Sequence, residues 1–119
     1  MDANAFATAW VEAWNRRDVE AVLEHFHEEV LFSSPLAAEL LPETRGVVRG
    51  KPALRRYWTE ALKRNPYLHF TIEAVHQGVA ALVVTYRTEQ NVTVAEVLLF
   101  DGDRISEGHA AHPVVLPTI

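Results

Sequence analysis

The second half of the chain constrains the fold most, because four strand-like runs follow one another there with only turn signals between them. Leu68–His76, Val79–Thr88, Val92–Phe100 and Arg104–Ala111 are divided by "QG", "EQN" and "DGD". These runs are rich in β-branched and aromatic residues, which fit a pleated surface, and the dividers are hairpin turns. Three hairpin connections in succession predict an antiparallel meander.

What precedes the meander has a different period. Phe6, Trp10 and Trp14 recur at i, i+4 and i+8 with Val11 beside them, which predicts a helix over residues 3–16. "NRRD" breaks it, and Asp18 is placed to cap a second helix bearing Val19, Val22, Leu23 and Phe26. After "HEE" comes a short extended run, Val30–Ser34, halted by Pro35. Residues 35–46 read as a loop and "VVRG" as a brief strand. Pro52, at a first helical position, opens a third helix with an apolar stripe of Leu54, Tyr57, Trp58, Ala61 and Leu62, ended by "NP" at 65–66. Helices first and a meander afterwards predict an α+β domain over 1–119, with three helices on one face of a curved, mostly antiparallel sheet. The closing "VVLPTI" reads as a tail that needs a partner or a groove.

Several function classes are set aside by composition. A formal net charge of −5 gives no reason to expect nucleic acid or an anionic membrane as partner. Without cysteine there is no disulfide, zinc–thiolate site, iron–sulfur cluster or thiol catalysis. "MDANAFATAW" lacks a basic region followed by an apolar run, and runs such as Val79–Val84 are too short to span a bilayer, so the expectation is a cytoplasmic protein. No metal or other cofactor is expected. His25 and His27 point in different directions, and His109 and His112 fall on opposite sides of a strand. Ser33 and Ser34 lack a nucleophile elbow and any adjacent base signal, and "GVVRGK" lacks the Ser/Thr of a phosphate loop.

Two features stand out against this ordinary background. Glu96 lies inside "VTVAEVLLF", where a carboxylate is costly to bury unless it is protonated, paired or wet. "ISEGHAAHP" offers Glu107, Gly108, His109 and His112 where a returning core strand should carry Val, Ile and Leu. Strand alternation sets Ile105, Glu107, His109 and Ala111 on one side, and Arg104, Ser106, Gly108 and His112 on the other.

The segments "WNRRDVEAVLEHFHEEVLF", "GVVRGKPALRRYW" and "AEVLLFDGDRISEGHA" resemble the SnoaL-like branch of the nuclear-transport-factor-2-like (NTF2-like) superfamily, over roughly residues 4–112. The resemblance implies a cone, in which a bent sheet wraps the helices around an open pocket, and a homodimer through the outer sheet face. It turns Ile105, Glu107, His109 and Ala111 inward beside Val94, Glu96, Leu98 and Phe100. Glu96 and His109 then share a pocket wall as a catalytic acid–base pair. Ligand contacts are expected from Trp10, Trp14, Phe32, Ser34, Tyr57, Trp58, Leu98 and Glu107. Val97, Leu99 and the Leu82/Val84/Tyr86 face are expected to meet the partner copy.

Specific chemistries of the superfamily fit unevenly. Its steroid isomerases place a carboxylate base before a proline, where this chain has Ser34, and a tyrosine donor where it has Trp10. Glu96 alone matches, as the counterpart of their protonated acid. Its limonene-type epoxide hydrolases need an arginine and an aspartate where this chain has Val94 and His109. Polyketide cyclases, with an acid–base pair in an apolar pocket, are compatible. Two readings follow: an acid–base isomerase, cyclase or dehydratase acting on an apolar cyclic carbonyl compound, or a non-catalytic module binding a hydrophobic ligand or a protein.

Overall fold

The computed structural model describes residues 1–114. In chain order it contains α1 (Ala3–Asn15), α2 (Val19–Leu23), β1 (Phe26–Ser33), α3 (Pro35–Leu40), a 3-10 turn (Pro42–Thr44), β2 (Val47–Arg49), α4 (Lys51–Arg64), β3 (Phe70–Gln77), β4 (Ala81–Thr88), β5 (Thr93–Asp101) and β6 (Arg104–Ala111). The tail residues 115–119 lie outside the described part. No described helix is long and apolar enough to cross a membrane.

The six strands form one curved sheet in the order β2-β1-β6-β5-β4-β3. The predicted meander is present as β3 to β6, each antiparallel to the next. β1 enters parallel to β6 and antiparallel to β2, so the N-terminal strand completes the sheet beside the last one. α1 buries Ala7, Trp10, Val11 and Trp14, and α4 buries the stripe read from its sequence. Around Trp58 the rings of Trp14, Phe26 and Phe32 meet edge to face at 5.1–5.5 Å. Asn15 ties the end of α1 to the sheet, since its side chain accepts from the Phe70 N–H at 2.8 Å and donates to the Phe70 carbonyl at 3.0 Å.

Four expectations need correction. α2 ends at Leu23, and Phe26 begins β1 instead of closing the helix. Its helical spacing is overridden by pairing with Ile105 of β6, a tertiary contact that local periodicity does not register. Part of the stretch at 35–46 is helical, so four α-helices, not three, lie among the described residues. Ser34 caps α3 by accepting from the Leu36 N–H at 3.1 Å, and Pro35 supplies a pre-set φ in its first turn.

The third correction concerns β6. Phe100 pairs with Ile105, but Leu99 pairs with Glu107, so Ser106 is one extra residue on the returning strand. Such a bulge inverts the alternation beyond it. Ile105 remains inward, but Gly108 and Ala110 then face in, opposite Leu98 and Glu96, while Glu107, His109 and Ala111 face out. β5 has Val94, Glu96 and Leu98 inward, as expected. On β4 the buried, inward set is Leu82, Val84 and Tyr86, so this face lines the interior instead of meeting a partner copy.

Candidate active site

Between α3 and α4 on one side and the concave face of β3–β6 on the other lies a cavity of about 470 Å³. Its walls are aromatic, from Trp14, Phe32, Tyr57, Trp58, Phe70 and Tyr86, with Val94 and Ala110 between them. The side chains exposed to water along its lining are charged or amide-bearing, from Glu39, Arg64, Glu89 and Gln90, and His112 stands beside them. A site of this size with apolar walls and few polar groups matches the usual form of a small-molecule pocket.

The buried carboxyl inside it is Glu96. Its strand position turns it inward between Val94 and Leu98, and it is 5% exposed. The Tyr86 hydroxyl donates to Glu96 Oε1 at 2.8 Å. Tyr86 is paired with Val94 across β4 and β5, so it reaches Glu96 on the diagonal of the same face. Burial pushes the Glu96 carboxyl up to about 7, against the opposing effect of the Tyr86 hydrogen bond. Tyr86 itself is held well above the usual phenol range, first by burial and then by the nearby Glu96 charge. Near neutral pH the carboxyl is therefore balanced between its two forms, while its hydrogen-bond donor keeps its proton.

A second hydroxyl pair lies alongside. The Tyr57 hydroxyl donates to Ser34 Oγ at 3.0 Å, and Ser34 Oγ also accepts from the Leu36 N–H. Burial pushes the Tyr57 phenol up to about 12, with the Ser34 hydrogen bond acting against it and the Glu96 charge adding to it. Tyr57 is thus a neutral donor at physiological pH and not a base. His112 is held below its ordinary value by burial, with Glu39 acting in the opposite sense.

The residues read from sequence separate into three groups. Trp14, Phe32, Ser34, Tyr57, Trp58 and Glu96 line the cavity. Trp10 and Leu98 are fully buried and lie outside its lining, Trp10 packing against the Tyr86 ring at 5.7 Å. Glu107 and His109 stand on the opposite face, so His109 does not share a wall with Glu96. The bulge at Ser106 is the cause. There His109 Nδ1 lies 2.5 Å from Ser33 Oγ, and His109 Nε2 lies 2.8 Å from Glu107 Oε2. The sequence around Ser33 shows no imidazole, and the structure brings one to it from a distant strand. Tyr86 and His112 were not expected in the cavity. The apolar parity of Leu82, Val84 and Tyr86 was the available signal for Tyr86.

A family model for the SnoaL-like domain matches residues 7–108. No curated protein matches the chain. A SnoaL-like protein of unknown function from Burkholderia thailandensis is 34% identical, with a TM-score of 0.87 and 94% of each chain covered. An NTF2-like protein of unknown function from Burkholderia pseudomallei is 15% identical, with a TM-score of 0.75 and coverage of 95% of this chain and 92% of that one. A candidate polyketide cyclase from Sinorhizobium meliloti is 15% identical, with a TM-score of 0.73 and coverage of 88% and 92%.

Proposed function

The chain belongs to the SnoaL-like domain family of NTF2-like proteins, and from that premise we propose that it is an acid–base enzyme for an apolar, ring-bearing carbonyl compound. The observation that carries this reading is one buried carboxyl, raised to about 7 by burial and hydrogen-bonded by Tyr86, on the wall of an aromatic cavity. A flat ring stacks between Trp14, Phe32 and Trp58, where aromatic contacts add to area burial. In its ionised form Glu96 removes a proton from the carbon beside the carbonyl, and the protonated carboxyl that results returns it to another carbon or to the carbonyl oxygen. A carboxyl poised near the working pH does both with the smallest free-energy penalty. Isomerisation is completed by that transfer, whereas cyclisation adds ring closure by the carbanion and dehydration adds loss of a β-hydroxyl as water. The fold shared with a candidate polyketide cyclase is compatible with this chemistry.

A non-catalytic binding module is the second reading. It is favoured by the absence of His109 from the cavity, which leaves Glu96 without the expected partner base.

A thermal-shift panel of uncharged ring ketones, enones and polyketide-like aromatics separates these readings from failure of the pocket itself. A true ligand at about 100 times its Kd adds about 2.7 kcal/mol of stability. Hits that convert to product on incubation support the enzyme. Hits recovered unchanged support the binding module, and a panel without hits rejects both.

We also propose that a second copy of this chain covers the outer faces of β4 and β5. Val83, Val97 and Leu99 stand together there, partly exposed, with Val83 paired directly to Val97. Sedimentation at micromolar concentration should return twice the chain mass of 13.4 kDa. A monomer mass rejects the assembly.

A further inference from the structure

We propose that Ser33, His109 and Glu107 form a second reactive site on the outer face of the sheet, in which Ser33 is an activated nucleophile toward small carboxylic esters. The parallel pairing of β1 with β6 sets Ser33 directly beside His109. Glu107 is two residues away on the same strand and therefore on the same face. The bulge at Ser106 brings these two side chains out together. The chain of contacts is continuous, from Ser33 Oγ to His109 Nδ1 at 2.5 Å and from His109 Nε2 to Glu107 Oε2 at 2.8 Å.

The carboxylate decides the tautomer. Ionised Glu107 only accepts hydrogen bonds, so the neutral imidazole carries its proton on Nε2 and presents the Nδ1 lone pair to the serine. The Ser33 hydroxyl then donates to Nδ1. A hydroxyl, a correctly oriented base and an orienting carboxylate are the three functional parts of a nucleophilic serine site, here with the two ring nitrogens exchanged relative to the usual arrangement.

Access comes from the β2 side. Ser33 pairs with Val47 of β2, and a shallow depression there is lined by Ser33, Arg45, Val47 and Ala111. His109 and Glu107 pair with Val97 and Leu99 of β5, so a second copy on β4 and β5 borders the site and leaves its β2 flank for access. Arg45 forms no ion pair among the described residues, so its charge is available to the depression. The imidazole and Glu107 side chains are 36% and 40% exposed, so both are reached from solvent.

The reaction balances without a further component. Ser33 Oγ bonds to the ester carbonyl carbon as its proton passes to His109 Nδ1, and the oxyanion that forms is stabilised by Arg45. The carbon–alkoxide bond then breaks, and the alcohol leaves with the proton from Nδ1, giving an acyl-Ser33. Water attacks the acyl carbon with Nδ1 as base, releasing the acid and restoring the serine.

The full chain incubated with a fluorophosphonate, then digested for peptide mass spectrometry, tests this directly. Label is expected on Ser33, with Ser34 and Ser106 as unlabelled internal references. His109→Ala should slow labelling by at least about 100-fold, the usual range for removal of a general base, and added imidazole should restore part of the rate. Glu107 acts as a positioning residue, so Glu107→Gln should slow labelling by at least about tenfold, while Glu107→Asp retains most of it. These side chains are partly exposed, and unchanged circular dichroism separates loss of reactivity from loss of fold. Equal labelling of Ser33 and Ser34, an unlabelled Ser33, or a rate indifferent to His109→Ala overturns the proposal.

Discussion

Replacing Glu96 by glutamine should make the protein more stable by about 3 kcal/mol above pH 7 while lowering turnover by about 100- to 10,000-fold. The two effects come from one group. The native carboxyl is raised to about 7 from an ordinary value of 4.5, chiefly by burial. Below pH 4.5 it is protonated in the folded and unfolded states alike and carries no ionisation penalty. Between 4.5 and 7 the unfolded chain loses its proton first, so native stability falls with rising pH, by up to about 1.4 kcal/mol per unit. Above 7 the loss is complete. Glutamine keeps the volume, still accepts from Tyr86, and carries no charge to bury. Denaturant titrations of both proteins from pH 4 to 9 measure the difference. The stability gap should open between pH 4.5 and 7 and then stay level. Parallel curves would place the carboxyl in water and remove the basis for acid–base work.

Gly108→Val should destabilise the protein by at least about 3 kcal/mol, and Gly108→Ala by about 1 kcal/mol, because inserted carbon forces well-packed neighbours aside. A Cβ at position 108 would lie 3.0 and 3.2 Å from two carbons of the Phe32 ring and 3.4 Å from Leu98 Cδ2. The ring cannot yield freely, since Phe32 is 2% exposed and held edge to face by Trp58. Alanine recovers part of the cost, because a strand glycine loses more backbone freedom on folding than any other residue. The measurement is the thermal midpoint, which moves by about 4 °C per kcal/mol in a domain of this size. An unchanged midpoint in Gly108→Val would mean that the ring is free to move and that the cavity wall is soft. The same contact explains the small residues of "ISEGHAAHP". Gly108 makes room for the Phe32 ring, and Ala110 leaves space beside Glu96 in the cavity.

The four meander strands and the long helices were legible because each carries several turns of one clear period between strong breaks. Glu96 was legible because a carboxylate inside "VTVAEVLLF" conflicts with everything around it. Three things were not. Phe26 fits a helical repeat, and only its partner Ile105, far along the chain, makes it a strand residue. "SSPLAAEL" carries a capping serine followed by proline, a helix start whose short length and proline also suit a loop. The extra residue at Ser106 leaves no mark on the alternation of hydrophobicity, because Glu107, Gly108 and His109 are none of them apolar enough to reveal which side is in. The predicted partner of Glu96 was misplaced for that reason, and the contact between His109 and Ser33 was hidden.

The seating of β1 against β6 also has a consequence for how the protein is made. The strand-to-strand contacts of the meander can form as the chain emerges, hairpin by hairpin. The β1–β6 ladder joins the start of the sheet to its end, so it has to wait until the last strand has been synthesised. Until then Phe26 and Phe32 lack Ile105 and Gly108 beside them, and the nascent chain presents an aromatic surface to the ribosome and its chaperones.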